Sequence, residues 1–278
     1  MQLTDSILKS LNRGATRGVL RWILAVGYKL RGISPESIRY HKNSNSWEYR
    51  IDGVSYLSSG PGWAYNYDFL IDQLKQLSGN HYLPKAGDIV VDIGAGVGEE
   101  TIIFSKLVGN SGKVLAIEAH PKTFLALDYM VKTNGLRNVT CMNIALSDKY
   151  GEVEIGDSDN SLANTILPSK TKKTYQVKGY TFDEMIRNNG LQRIDLVKMN
   201  VEGAEQLIIK GMAEYLPIVK NIAISCHDFL YERGGSEFFK TREIVVEFLK
   251  RNNFIVAVQK TNVKMVDDYI YAVNANPV

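Results

Sequence analysis

The sequence has few cysteines and histidines. Its 278 residues include two cysteines, Cys141 and Cys226, and four histidines. Each cysteine falls in an apolar, strand-like stretch, and these strands are not neighbours in the sheet order inferred below, so we expect no disulfide. No cysteines and histidines are spaced as zinc ligands, which argues against a structural zinc site. Two cysteines without a disulfide are typical of proteins of the reducing cytoplasm.

Long apolar runs and strong net charge are also absent. Residues 22–27 are too short to span a bilayer, and no cleavable signal follows them. The net charge is +3, and residues 1–32 contribute six basic residues against one acidic residue. The remainder is therefore slightly acidic, which argues against a nucleic-acid partner.

The basic excess lies in a predicted amphipathic helix over residues 4–31, where apolar residues recur at three- and four-residue spacing. One interpretation is a helix that packs on the rest of the protein or on a second subunit of a homo-oligomer. The other is a basic helix lying peripherally on an anionic membrane. We assign residues 1–50 to an N-terminal extension and residues 51–278 to the main domain.

Residues 88–100 organise the rest of the chain. A β-branched apolar run over residues 89–93 predicts a strand buried on both faces. Gly94, Gly96 and Gly98 follow, and a helical pattern begins at Glu99. Such glycines bring bare backbone close to a ligand at a helix N-terminus. The G-x-G-x-G spacing differs from the dinucleotide pattern G-x-G-x-x-G.

Two acidic residues indicate which ligand binds there. Asp92 stands two residues before the first glycine, where a carboxylate would repel a pyrophosphate but suit the ammonium and sulfonium of S-adenosylmethionine. Glu118 ends the next predicted strand, where an acidic side chain can accept both ribose hydroxyls. The sequence therefore predicts an S-adenosylmethionine site, and a glycine turn in an unrelated α/β protein is the alternative.

Strands and helices alternate from residue 89 onward. The predicted strands cover residues 89–95, 113–119, 139–146, 194–200, 221–227, 254–259 and 269–274. Residues 151–156 and 174–180 predict an inserted antiparallel pair, and a hairpin is expected around Asp52 and Gly53. This pattern predicts an α/β doubly wound, mostly parallel seven-stranded sheet with ligands at the carboxyl ends of its first, second and fourth strands.

Four motifs in this order resemble the FkbM-type methyltransferases, at residues 92–101, 116–121, 143–148 and 198–205. The resemblance covers roughly residues 55–275 and implies a Rossmann-like sheet with S-adenosylmethionine as donor. It also implies O-methylation of a hydroxyl on a sugar, glycan or secondary metabolite. Ala119 stands where the family commonly has proline. Asn200 stands where it commonly has aspartate, which removes a charge at the reacting end of the pocket.

The expected donor-binding residues come from three segments. We assign the backbone of Gly94, Gly96 and Gly98 to the methionine moiety, Asp92 to its ammonium and Glu118 to the ribose. A further group, at the end of the third predicted strand, is expected beside the adenine: Ala145, Leu146 and Asp148. The alternative for Asp148 is that it caps the turn into the next strand.

The expected catalytic residues follow the fourth and fifth strands. Asn200 and Glu202 should lie beside the methyl group, where Glu202 either takes the acceptor proton or merely caps the next helix. His227 is either a general base or a structural histidine. Lys198 is expected to form an ion pair with Asp195 or Glu205. No divalent-metal cluster is recognisable, so we expect metal independence.

The leading hypothesis is an O-methyltransferase of a small molecule or glycan, cytoplasmic or peripheral to a membrane. A nucleic-acid methyltransferase is the alternative within enzymes, although the Asn/Asp-Pro-Pro-aromatic motif is missing. A non-catalytic, donor-binding scaffold is the third. Acceptor contacts are expected from residues 58–67, 157–173 and 228–236, the last with Tyr231 and Arg233. The 58–67 loop either closes over the donor or is an ordinary packed loop.

Overall fold

The computed structural model describes residues 11–58, 60–62, 66–157 and 174–277. The strands are β1 Ser37–His41, β2 Ser46–Ile51, β3 Val54–Ser58, β4 Ile89–Ile93, β5 Lys113–Ile117, β6 Val139–Met142, β7 Ala145–Leu146, β8 Gly151–Gly156, β9 Thr174–Tyr180, β10 Ile194–Asn200, β11 Val219–Ser225, β12 Phe254–Val258 and β13 Tyr269–Asn274. The α-helices are α1 Arg17–Leu30, α2 Tyr67–Gln76, α3 Glu99–Val108, α4 Pro121–Thr133, α5 Phe182–Asn189, α6 Glu205–Lys210, α7 Asp228–Glu232, α8 Arg242–Arg251 and α9 Lys264–Asp267.

Seven strands form the central sheet, in the order β12-β13-β11-β10-β4-β5-β6. Strands β11, β10, β4, β5 and β6 pair in parallel, and β13 runs antiparallel between β11 and β12. The order reverses between β4 and β10, which opens a crevice at their carboxyl ends. The predicted doubly wound α/β sheet is confirmed.

The packing of strand β4 on both of its faces explains why its residues are β-branched and apolar. Val90 packs into one core cluster together with Ile103 of helix α3. Val91 points to the opposite face and packs into a second cluster together with Phe182 of helix α5. Because successive side chains of a strand alternate between faces, a strand covered by helices on both sides needs a continuous apolar run.

The third predicted strand is shorter than expected. Strand β6 ends at Met142, and Ala145 and Leu146 leave the central sheet to pair with β9 in a small sheet, β7-β9-β8. Between the two, the side-chain amide of Asn143 donates to the carbonyls of Glu118 and Ala119. These hydrogen bonds take the place of strand pairing beyond β5. The predicted antiparallel pair is confirmed as β8 and β9.

The N-terminal strands form a separate antiparallel sheet, β1-β2-β3. The predicted hairpin is confirmed, with Asp52 and Gly53 at φ 51° and 74° as a tight two-residue turn requires. Strand β1 was not predicted. The domain boundary predicted at residue 50 falls inside β2, and the division into domains stays a prediction.

The predicted continuous helix over residues 4–31 is wrong within its described part. Residues 12–13 form a bend, Gly14–Thr16 form a 3-10 turn, and α1 begins only at Arg17. Residues 1–10 lie outside the described residues. Among the helices that the structure describes, none is long and apolar enough to cross a membrane. Cys141 and Cys226 are both free thiols.

Candidate active site

A cavity of about 220 Å³ opens at the carboxyl ends of β4, β5 and β10. Its walls include the glycine loop at residues 94–97. Its charged and amide side chains are those of Glu99, Glu100, Glu118, Lys198, Asn200 and Glu202. The cavity lies where the sheet order reverses, which is where open α/β sheets bind their ligands.

The glycine loop needs its glycines for two different reasons. Gly94 has φ +73°, and a Cβ there would lie 2.0 Å from the carbonyl oxygen of Asn200. Gly96 has φ +59°, but a Cβ would meet nothing within 4 Å. Gly98 lies outside the cavity lining and is the N-cap of helix α3. The loop thus packs against β10 at Gly94 and leaves backbone open to the cavity at Gly96.

Glu118 lies one residue beyond the end of β5 and faces the cavity. One carboxylate oxygen accepts from the amide of Gly96 at 3.0 Å, and the other accepts from the amide of His120 at 2.9 Å. Desolvation raises the pKa of Glu118 above its ordinary value, although both amides oppose this. Each oxygen retains acceptor capacity, so the side chain can also receive hydroxyls from a ligand.

Asp92 lies behind the glycine loop rather than in the cavity wall. Its carboxylate is fully buried and accepts from Thr101 at 2.7 Å and from Lys198 at 3.0 Å. Burial raises the pKa of Asp92, and the charge of Lys198 opposes the rise. The expected contact of Asp92 with the donor ammonium stays a prediction. Glu99 and Glu100 are the carboxylates that line the cavity on this side.

The expected ion-pair partners of Lys198 were wrong. Its ammonium pairs with Asp92 at 3.0 Å and Glu100 at 2.9 Å, because the register of β10 and β4 places Lys198 opposite Asp92. Asp195 pairs instead with Arg193 and Lys220, which lie at the same end of the sheet as Asp195.

The carboxyl group of Glu99, which lines the cavity, has a raised pKa. Burial and the nearby Glu100 raise this pKa to about 7.

Asn200 and Glu202 both line the cavity at the end of β10, as expected. Behind them, Glu202 Oε1 lies 3.5 Å from His227 Nε2, and His227 Nδ1 lies 2.9 Å from Glu205 Oε1. His227 is 6% exposed, and Glu205 is fully buried. The three side chains form a row from the cavity into the core, which we call the Glu202–His227–Glu205 row.

The charges in this row shift the pKa values of their neighbours. Burial alone would lower the pKa of His227, but the hydrogen bond with Glu205 and the charge of Glu202 raise it above its ordinary value. Burial raises the pKa of Glu202, and the charge of His227 opposes this. Of the two residues expected to act as base, Glu202 lines the cavity, whereas His227 lies behind it.

Of the three residues expected beside the adenine, two line the cavity and one does not. Ala145 and Leu146 line the cavity and give it an apolar wall. Asp148 is exposed, lies outside that lining and accepts a hydrogen bond from the Ser147 hydroxyl. Its contact with adenine stays a prediction.

The expected acceptor segments are only partly described. Residues 59, 63–65 and 158–173 lie outside the described residues. In the third segment, Tyr231 belongs to α7, and the Arg233 guanidinium lies 5.1 Å from the Phe229 ring centre. Acceptor contacts from these segments stay a prediction.

Sequence reasoning assigned no role to three cavity residues. Glu99 and Glu100 directly follow the glycine loop, at the start of helix α3. This position in the sequence could have indicated that they lie at the cavity. His120 also lines the cavity, and its Nε2 lies 3.4 Å from Asp157 Oδ1.

The cavity fits S-adenosylmethionine better than a phosphorylated cofactor. Four glutamates line it against a single lysine, and such a field attracts cations and repels diphosphates. The contacts of Gly96 with the methionine part and of Glu118 with the ribose stay predictions. Within the described ranges, no group of three or more histidine, cysteine, aspartate or glutamate side chains is arranged to hold a metal ion.

The family described as "Methyltransferase FkbM domain" matches residues 92–256. Hexuronic acid methyltransferase AglP of Haloferax volcanii is 23% identical over 167 residues, 59% of this chain and 66% of its own length. Methyltransferase sdnD of Sordaria araneosa is 26% identical over 168 residues, 49% of this chain and 64% of its own length. The alignments thus span just under two thirds of these relatives.

Among solved structures, methyltransferase FkbM from Methylobacillus flagellatus aligns with 70% of this chain and 45% of its own. The TM-score is 0.48 and the sequence identity is 16%.

Proposed function

The chain belongs to the FkbM methyltransferase family, and on that premise we propose that it transfers a methyl group from S-adenosylmethionine to a hydroxyl group of a sugar. The observation that carries this proposal is Glu202, a carboxylate that lines the acidic cavity and is backed by His227. The printed name of the Haloferax volcanii relative, a hexuronic acid methyltransferase, supports a sugar as the acceptor class.

The donor would be held by three groups of this chain. Glu118 would accept the ribose hydroxyls, the backbone at Gly96 would face the methionine part, and Ala145 and Leu146 would cover the adenine. Bound there, S-adenosylmethionine supplies an electrophilic methyl group on a sulfonium. The protein then has to orient the acceptor oxygen and remove its proton, because an alcohol is a weak nucleophile.

Glu202 is the residue proposed to take that proton. Its pKa is raised by burial, which makes the carboxylate a stronger base than an exposed glutamate. His227 holds the carboxylate from behind, and Glu205 orients the imidazole through Nδ1. Asn200, which replaces the family's usual aspartate, lines the same end of the cavity and would orient the acceptor by hydrogen bonds.

Donor binding is tested first, by calorimetry with S-adenosylmethionine and with NAD⁺. We expect binding of S-adenosylmethionine only, and Glu118→Gln should weaken it by about 10- to 100-fold through the loss of charge-assisted hydrogen bonds. Glu152→Gln, an exposed glutamate on β8, is the matched control. Unchanged affinity in Glu118→Gln would refute the ribose assignment, and preferential NAD⁺ binding would refute the donor.

Methyl transfer is tested with isotopically labelled S-adenosylmethionine and a panel of hexoses, hexuronic acids and their oligosaccharides. The expected product is a methyl ether, identified by mass spectrometry. Glu202→Gln should reduce the transfer rate by about 100- to 10,000-fold, the range of a lost general base, with donor affinity unchanged. A methylated nitrogen or carbon, or donor binding without transfer to any sugar, would contradict the proposal.

A further inference from the structure

Helix α1 has two apolar faces, and the rest of the described protein covers only one. Leu20, Leu24 and Tyr28 are fully buried, and the Tyr28 ring packs against Tyr49 of the N-terminal sheet at 5.5 Å. A second apolar set is exposed: Val19, Trp22, Val26 and Leu30. Its three- and four-residue spacing makes it one stripe along the outer side of the helix, which we call the outer stripe.

The outer stripe is unusually exposed for its residue types. Trp22 is 67% exposed and Leu30 is 84% exposed. A large apolar patch on a helix whose inner face is already packed marks a surface that meets something else. Packing against the N-terminal sheet also holds α1 in one orientation, so the stripe points outward as a fixed feature.

The charge around the stripe indicates what that surface meets. Residues 11–32 contain five basic residues and no acidic one. Arg21 and Lys29 are exposed, and Lys29 lies seven residues after Trp22, on the same side of the helix. A second copy of this helix would bring two positive surfaces together, whereas an anionic surface would be attracted.

We propose that α1 docks on an anionic lipid bilayer, with the outer stripe in the headgroup region and the neighbouring cations against lipid phosphates. A basic helix with an apolar face binds membranes in this way, lying in the interface plane. A tryptophan at the headgroup level is typical of such contacts. The helix lies on the surface, and the proposal does not depend on the transfer reaction.

Co-sedimentation of the full chain with lipid vesicles tests the proposal. We expect at least tenfold tighter binding to vesicles of phosphatidylcholine with phosphatidylglycerol than to phosphatidylcholine alone, and weaker binding in 0.5 M salt. Trp22→Ser with Leu30→Ser should reduce the binding at least tenfold. Ile255→Ser with Met265→Ser removes two residues of similar exposure elsewhere and should leave it unchanged.

A charge pair tests the electrostatic part separately. Arg21→Glu with Lys29→Glu should reduce binding to the anionic vesicles at least tenfold, whereas Lys149→Glu with Lys210→Glu, which changes exposed residues outside α1, should not. Brominated acyl chains should quench the fluorescence of the wild-type protein more than that of Trp22→Phe, because Trp22 enters the bilayer.

Three results would overturn the membrane proposal. The first is equal binding to neutral and anionic vesicles, or no binding to either. The second is equal loss of binding in the variants and their matched controls. The third is a dimer in sedimentation equilibrium that Trp22→Ser with Leu30→Ser converts to a monomer, because a second copy would then cover the outer stripe.

Discussion

At the scale of single residues, His227 is held between two carboxylates. It contacts Glu205 with one ring nitrogen and Glu202 with the other. The positive imidazolium lowers the pKa of Glu202, whereas burial raises it. His227 is thus a positioning residue, and its effect on catalysis should pass through the protonation of Glu202.

We predict that His227→Gln shifts the pH dependence of turnover. Without the imidazolium, the pKa of Glu202 rises further, so the acidic limb of the kcat/KM profile should move to higher pH. Turnover at neutral pH should fall, and donor affinity by calorimetry should stay unchanged. His41→Gln, a histidine of the N-terminal sheet, is the control. An unshifted acidic limb would leave His227 with a purely structural role.

Lys198 is the second residue for which the structure predicts the effect of a substitution, here on the stability of the fold. It is 2% exposed and pairs with Asp92 and Glu100. We predict that Lys198→Met destabilises the fold by about 3–5 kcal/mol, because it leaves the buried Asp92 carboxylate without its cationic partner. The double variant Asp92→Asn with Lys198→Met should recover part of this loss. Urea denaturation measures both.

The pH dependence of that loss has a definite sign. In Lys198→Met the pKa of Asp92 rises further above its unfolded value, so the ionised group is destabilising at neutral pH. As pH falls through that raised pKa, protonation removes the unpaired charge and the stability deficit should shrink. A deficit that is constant between pH 5 and pH 8 would argue against the buried pair as its cause.

At the scale of elements, the loop between β4 and α3 has to fit two neighbours at once. It packs against the end of β10 at Gly94 and opens to the cavity at Gly96. Both glycines have positive φ, so the same substitution imposes similar backbone strain at either position. Any difference between them therefore measures the packing alone.

We predict that Gly94→Ala and Gly96→Ala separate these effects. Gly96→Ala should cost about 1–2 kcal/mol, the left-handed strain of a non-glycine residue. Gly94→Ala should cost clearly more, because its methyl would lie 2.0 Å from the Asn200 carbonyl oxygen. Thermal and urea denaturation of both variants provide the comparison. Equal costs would mean that the loop moves away from β10 without penalty.

At the scale of the whole molecule, the N-terminal sheet is joined to the rest of the described structure through α4 and the residue after it. The side chain of Asn134 accepts from the Ser55 amide at 2.8 Å and donates to the Ser55 carbonyl at 2.7 Å. The Tyr129 hydroxyl donates to Glu48 at 3.2 Å. These contacts join strands β2 and β3 to the helix that packs on the central sheet.

We predict that Asn134→Ala destabilises the protein by about 1–3 kcal/mol, the cost of leaving buried backbone groups unpaired. Because this contact joins the N-terminal sheet to the helix that packs on the central sheet, the wild type should unfold in one transition by both tryptophan fluorescence and circular dichroism. Asn138→Ala, which removes hydrogen bonds to the carbonyls of Ser105 and Gly109 at the end of helix α3, is the comparison. An earlier fluorescence transition in Asn134→Ala alone would show that the N-terminal sheet unfolds separately.

The sequence by itself determined strand β4, the glycine loop, helix α3 after it and the position of Glu118. These features depend on residues close together in the chain, where apolar periodicity and glycine spacing carry the information. It also indicated Asn200 and Glu202 at the cavity, because the carboxyl ends of neighbouring parallel strands meet at one edge of a sheet.

Only the tertiary structure decided which charges meet. Lys198 and Asp92 are 106 residues apart, and their pairing depends on the register of β10 against β4. Likewise, His227 lies behind Glu202 because the end of β11 is adjacent to the end of β10. Register and the packing of helices on both faces are set by the whole core, and a local pattern of residues does not contain them.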